Sequence, residues 1–136
     1  MRFGKTPCIW YKPDKVSDQM RFPEKQLIDS YETFLLVRKG DPVFHEKEVQ
    51  NVFSEPRVPK TSKVHPTEKP LSLMNRLVRL LSLPGEMVFD PTAGSSSFLE
   101  SAVALKRKAL GVELSQKYYE RGITRLTEAL RKFRES

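Results

Sequence analysis

One stretch limits this chain more than any other: Val88-Phe89-Asp90-Pro91-Thr92-Ala93-Gly94-Ser95-Ser96-Ser97-Phe98, with Gly111-Val112-Glu113-Leu114 after it. An apolar strand runs into an acid, a turn of small residues, a helix, and a second strand that ends in a carboxylate. That order predicts half of a doubly wound α/β fold, in which ligands lie at the carboxyl edge of the strands. Small residues let the backbone approach a ligand, and a helix N-terminus offers free N–H groups. A carboxylate one strand later can accept both hydroxyls of a ribose. A G-x-G-x-x-G turn is missing, and only Gly94 stands in the loop. Asp90 would also repel a pyrophosphate, so the turn suits a cationic nucleoside cofactor better than an anionic one.

Around this unit the pattern predicts three zones. Residues 1–40 read as a short strand Pro7–Tyr11, a polar connection carrying Pro13, Asp14, Ser17, Asp18 and Pro23, and a longer strand Glu32–Arg38. The run Phe34-Leu35-Leu36-Val37 is expected to be covered on both faces. Residues 41–69 carry Pro42, Pro56, Pro59 and Pro66 with weak periodicity and read as an extended connection. Residues 70–136 form the cofactor half. Pro70 opens a helix with Leu73, Met74, Leu77, Leu80 and Leu81 as its stripe, ended by Pro84-Gly85. Strand Met87–Phe89, helix Ser96–Leu105 and strand Ala109–Glu113 follow. A last helix runs from about Gln116 to Phe133, with Ser115 as N-cap and Tyr119, Ile123, Leu126, Leu130 and Phe133 on one face.

Upstream of the loop stands His65-Pro66-Thr67-Glu68-Lys69-Pro70. With the Phe-Asp-Pro-x-x-Gly-Ser run after it, this motif resembles the amino-methylating DNA methyltransferases in their circularly permuted, beta-type order. Ile9-Trp10-Tyr11-Lys12, Tyr31–Val37, and Glu113, Tyr118, Arg125 and Leu126 are similar to further parts of that family. The resemblance covers nearly the whole chain, and two linked motifs in order are more specific than either alone. It implies a partial class I, Rossmann-like fold and transfer of a methyl group from S-adenosylmethionine to adenine N6, ahead of cytosine N4, in double-stranded DNA. The catalytic Asp-Pro-Pro-Tyr or Ser-Pro-Pro-Tyr tetrapeptide of that family occurs nowhere in these residues. The chain thus resembles a C-terminal portion. Alone it is expected to be inactive, and its bare strand flanks point to a partner chain that carries the tetrapeptide, to self-association, or to a truncated product of marginal stability. A cofactor-binding half that completes another chain's site, and a basic nucleic-acid-binding remnant without cofactor, remain as alternatives.

The resemblance places Thr67, Lys69 and Pro70 against the cofactor's carboxylate, where the residues alone allow an ordinary helix start. It places Asp90 toward the amino or sulfonium side, against an Asx turn as the local alternative. Pro91, Thr92, Ala93, Gly94 and Ser95 complete the loop. Glu113 takes the ribose, against an exposed strand-end acid paired with Lys117 as the local alternative, and Leu114 packs beside the adenine or joins the core. Ser96 stands where the family usually has glycine, putting a side chain where the backbone meets the ligand. His65 reads as structural, because amine methylation needs no histidine base here. Trp10, Tyr11, Tyr31 and Phe34 read as core ahead of a floor for a flipped base. Arg57, Lys60 and Lys63 are candidates for DNA phosphates, and a solvated loop reads the same.

Composition agrees with these expectations. The net charge is +7 with basic residues spread over both halves, which suits a polyanion and equally a soluble protein that is simply basic. The segment at 41–69 is too short for a recognition domain of its own. One cysteine rules out an internal disulfide and suits a cytoplasmic, reducing location; with only two histidines, no metal-ligand spacing can be built. No apolar run reaches membrane-spanning length.

Overall fold

The computed structural model describes residues 2–3, 6–14, 22, 24–63 and 65–135. Ser17, Asp18 and Pro23 of the polar connection lie outside them. The chain divides into two compact units: Met1–Pro42 with Glu48–Arg57, and Val43–Lys47 with Val58–Ser136.

In the first unit, β1 (Arg2–Phe3) pairs antiparallel with β4 (Val37–Arg38). A separate three-stranded sheet has β2 (Cys8–Tyr11) at its centre, between β3 (Tyr31–Phe34), antiparallel, and β5 (Val52–Ser54), parallel. Alternation along β2 buries Cys8 and Trp10, and Phe53 of β5 is 1% exposed beside them. The Trp10 ring N–H donates to the Glu55 carbonyl at 2.8 Å, which satisfies its one polar atom. Lys12 is buried only because its ammonium meets Glu32 at 2.8 Å and lies over the Trp10 ring.

Two expectations fail here. The strand Glu32–Arg38 is broken into β3 and β4, and its apolar run is not covered: Leu35 is 62% and Val37 43% exposed. β3 is an edge strand and β4 belongs to the other ladder, so neither is sandwiched as a central parallel strand would be. Within the stretch read as an extended connection, β5 adds a strand and Lys60–Ser62 a 3-10 turn.

The second unit runs α1 (Leu71–Leu81), β6 (Met87–Asp90), α2 (Ser97–Ala104), β7 (Lys108–Gly111) and α3 (Gln116–Arg134). β6 and β7 are parallel and in register from Met87 opposite Lys108 to Asp90 opposite Gly111. The core is Leu73, Met74, Val78 and Leu80 of α1, Val88 of β6, Leu99 and Ala102 of α2, and Ala129 of α3. The Ser101 hydroxyl joins α2 to α1 by donating to Asn75 Oδ1 at 2.6 Å. Ser82 donates back to the Val78 carbonyl at the end of α1, and Arg107 donates to Ser82 Oγ. Gly85, at φ 88°, makes the turn into β6 that a side chain would strain.

Two more expectations are corrected. The apolar stripe of α3 does not face the core, since Tyr119, Ile123, Leu130 and Phe133 are 39 to 50% exposed. The buried residues are Gly122 and Ala129, because small residues let α3 lie close to its neighbours. Second, β7 stops at Gly111, so Glu113 lies two residues past the strand end that was expected to hold it. Among the described residues no helix is long and apolar enough to cross a membrane, and no group of three metal-ligating side chains occurs.

Candidate functional site

The site lies wholly in the second unit, where the chain leaves β6. Asp90 Oδ1 accepts the Thr92 N–H at 2.9 Å, an Asx turn that sets the loop's direction while leaving Oδ2 outside that bond. Gly94 takes φ 53° and Ser96 φ 60°, so the loop makes two left-handed steps before α2 begins. Only the first is occupied by glycine. The Ala93 N–H donates to the Val112 carbonyl at 2.9 Å, and the Val112 N–H to the Asp90 carbonyl at 3.0 Å, tying the loop to the segment after β7.

Glu113 closes that segment. Its two oxygens accept the Gly94 N–H at 2.7 Å and the Ser115 N–H at 2.8 Å. These backbone donors, Ser115 first and Gly94 second, hold the carboxyl below the usual glutamate range against slight desolvation; His65 and the Leu114 N–H add less. Ser115 does stand at the N-cap position of α3, but its side chain makes no capping bond; the carboxylate of Glu113 takes its N–H instead.

A second wall comes from the turn before α1. The Glu68 N–H donates to the His65 carbonyl at 3.1 Å, and the His65 N–H donates to Glu68 Oε2 at 3.3 Å, so the turn is tied head to tail. Glu68 is 5% exposed and needs a cation. Arg125 of α3 supplies it at 2.8 Å, pairs also with Glu100 of α2, and donates to the Ser95 carbonyl at 3.0 Å. One guanidinium therefore fastens both walls, which its planar fork of donors allows.

Between the walls is a cavity of about 470 Å³. Eight expected residues line it: Thr67, Lys69, Asp90, Thr92, Ala93, Gly94, Ser95 and Glu113. His65, Glu68, Met74, Ser97 and Phe98 line it as well. Pro70, Pro91 and Leu114 are not in its lining. Pro70 is buried ahead of α1, Pro91 is exposed, and Leu114 is fully exposed, which excludes the core alternative for it. Ser96 is a correction. Its side chain is 5% exposed and lies against Gly122 of α3, not in the cavity lining, so it does not obstruct a ligand there. The departure from glycine falls on backbone conformation instead.

Of the three basic candidates, Arg57 is engaged by Asp14. Its backbone N–H donates to Oδ1 at 2.9 Å, its Nε meets Oδ2 at 3.3 Å, and a guanidinium N–H reaches the Asp14 carbonyl at 3.0 Å. Lys60 is exposed, and Lys63 donates to the Pro66 carbonyl at 3.1 Å. Nothing in sequence spacing announces Glu68 or its pairing with Arg125. His65 had a signal, its place in the motif, but reads as structural without the cavity beside it.

The sequence model for the DNA methylase family matches residues 3–125. YhdJ, a DNA adenine methyltransferase of Escherichia coli (strain K12), is 38% identical over 91 residues, which cover 65% of this chain and 31% of YhdJ. The chain thus spans about a third of that relative's length. Among solved structures, the M1.HpyAVI-SAM complex superposes with a TM-score of 0.72 at 22% identity, covering 91% of this chain and 63% of that one. The PvuII DNA methyltransferase, cytosine-N4-specific, gives 0.73 at 17% identity, covering 93% and 55%. At such identities the likeness is one of fold: part of the class I methyltransferase arrangement of strands and helices.

Proposed function

Because the chain belongs to the DNA methylase family, we propose that its second unit is the cofactor half of a site-specific DNA amino-methyltransferase and holds S-adenosylmethionine in the cavity between the 65–69 turn and the 90–97 loop. The observation that carries this is the charge set around one cavity of about 470 Å³: Lys69 on one wall, beside a Glu68 that is paired with Arg125, and the carboxylates Asp90 and Glu113 on the other. A cavity of that size suits a small cofactor. A ligand with a carboxylate, two cationic centres and a ribose diol fits those charges.

The donor set meets that demand residue by residue. Lys69 would hold the carboxylate, with Thr67 beside it in the lining and Pro70 standing just before α1. Asp90 keeps Oδ2 outside its Asx turn for the ammonium or sulfonium side. Glu113 accepts one N–H on each oxygen, and a carboxylate has about four lone-pair sites, so a ribose diol can still be taken. Leu114, fully exposed, would gain cover by packing beside the adenine. Pro91, Thr92, Ala93, Gly94 and Ser95 shape the loop so that backbone meets ligand. When bound, S-adenosylmethionine supplies an electrophilic methyl group on sulfonium. The chain's own residues bind and orient it and exclude water, which is where positioning lowers a barrier.

The 136 residues hold neither Asp-Pro-Pro-Tyr nor Ser-Pro-Pro-Tyr, so the groups that grip the target amine would come from outside them. The sheet itself calls for further cover, from a second chain, a second copy or further residues of the same polypeptide. Met87, Phe89 and Leu110 are each more than half exposed, as is Val112 just past β7, although parallel sheets are ordinarily covered on both faces. Adenine N6 is the preferred target, on the likeness to YhdJ, and its amine would have to be flipped out of the duplex. Double-stranded DNA in the cytoplasm is then the partner, with Lys60 and Lys63 as phosphate contacts and Arg57 withdrawn by Asp14.

Calorimetric titration with S-adenosylhomocysteine tests the assignment. Micromolar binding by the wild-type chain, weakened at least tenfold by Asp90→Ala and by Glu113→Ala, is expected. A folded wild-type chain that binds nothing would overturn it and leave a basic nucleic-acid-binding remnant.

A further inference from the structure

The motif histidine has a place in this cavity that amine transfer does not require. Its ring lies edge-on against Tyr118 of α3, with centroids 4.2 Å apart and planes at 62°. A Cβ at Gly94 would stand 3.8 Å from the imidazole. The ring is therefore wedged among the turn that bears it, the loop after β6 and the start of α3.

Its nitrogen Nδ1 is 3.2 Å from the Thr67 backbone nitrogen and 3.1 Å from Thr67 Oγ1. A backbone N–H only donates, so Nδ1 must be the acceptor, and the proton of the neutral ring is fixed on Nε2. The bond runs two residues along the chain and bends the turn back on itself. It thereby sets the direction of Thr67, two residues before Lys69, while the Glu68 backbone and side chain close the same turn from its other end.

Building on the cofactor assignment above, we propose that His65 is a positioning residue. Its Nδ1 takes both the N–H and the hydroxyl of Thr67 and so fixes the turn that presents Lys69 to the cofactor's carboxylate, while its ring packs that turn against Tyr118 and beside Gly94. Such a role needs an acceptor at the Nδ1 position, a demand that packing alone would not impose. Asparagine places its side-chain oxygen near that position, whereas glutamine reaches only toward Nε2.

The test uses the purified chain with His65→Asn, His65→Gln and His65→Ala, titrated with S-adenosylhomocysteine and melted thermally in parallel. Long-range ¹H–¹⁵N NMR reads the tautomer; with only two histidines, His45→Gln completes the assignment. The expected results are a protonated Nε2 with a bare Nδ1, affinity within about threefold of wild type for asparagine, and roughly tenfold weaker binding for glutamine and alanine. A proton on Nδ1, glutamine binding as tightly as wild type, or losses in all three variants that track their melting temperatures would overturn the role. Absence of binding by a folded wild type would instead sink the cofactor assignment, and the positioning role with it. The two failures are thus distinguishable.

Discussion

Ser96 and Gly122 make a pair whose energetics can be worked out in advance. Ser96 sits at φ 60°, ψ 24°, a left-handed conformation that costs an L-residue about 1–2 kcal/mol. A Cβ added at Gly122 would collide with Ser96 Oγ and stand 3.3 Å from Ser96 Cβ, with the Gly94 carbonyl next at an ordinary 3.8 Å. Gly122→Ala alone should therefore overpack, at about 2–3 kcal/mol, against a helix-propensity gain of about 1 kcal/mol, for a net loss of roughly 1–2 kcal/mol. Ser96→Gly relieves the backbone but frees the unfolded chain and loses a buried side chain, so alone it should fall within about 1 kcal/mol of wild type. In the Ser96→Gly background both close contacts are gone, and Gly122→Ala should stabilise by about 1 kcal/mol. The coupling is then roughly 2–3 kcal/mol, far above the few tenths expected of independent sites. Urea unfolding followed at 222 nm, where the three helices dominate, measures it. Additive single effects would refute the account, because they would mean that α3 and the loop are not in contact through these two residues.

Two other outcomes follow from the same geometry. Arg125→Met strands the buried Glu68 carboxylate and should cost about 3 kcal/mol by the same urea assay, with Glu68→Gln recovering part of it in the double variant; a loss under about 1 kcal/mol would show that Glu68 is not held as described. Glu113 has a folded pKa depressed chiefly by the Ser115 and Gly94 N–H groups. A depressed carboxyl contributes stability above its unfolded value, near 4.3, and loses it as pH falls through the folded one. The stability gap between wild type and Glu113→Gln should therefore hold steady above about pH 5 and shrink below it; a gap that stays flat through the acid range would count against the two backbone contacts.

The second unit was readable from sequence because its signals are local. Asp90-Pro91 ends a strand, Pro84-Gly85 ends a helix, and apolar spacing of 3.6 marks α1, so boundaries fell within a residue or two. Most of the cavity lining could be named because its polar residues sit in two short motifs. What escaped depends on distant partners. β5 is three residues long and becomes a strand only beside β2. The buried side of α3 is Gly122 and Ala129, which a search for large apolar residues passes over. Arg57 looked available for phosphate until Asp14, 43 positions away, was beside it. Glu68 reads as a solvated acid in any window that omits Arg125.

The guanidinium of Arg125 also decides how this sequence can be recombined. Its contacts lie 30 residues upstream, at Ser95, and further back, at Glu68. A crossover placed between Glu113 and Arg125 would inherit the two walls from one parent and their common fastener from the other. Chimeras joined there should fail unless the C-terminal parent supplies arginine at this position, whereas exchanges made upstream of His65 keep walls and fastener together.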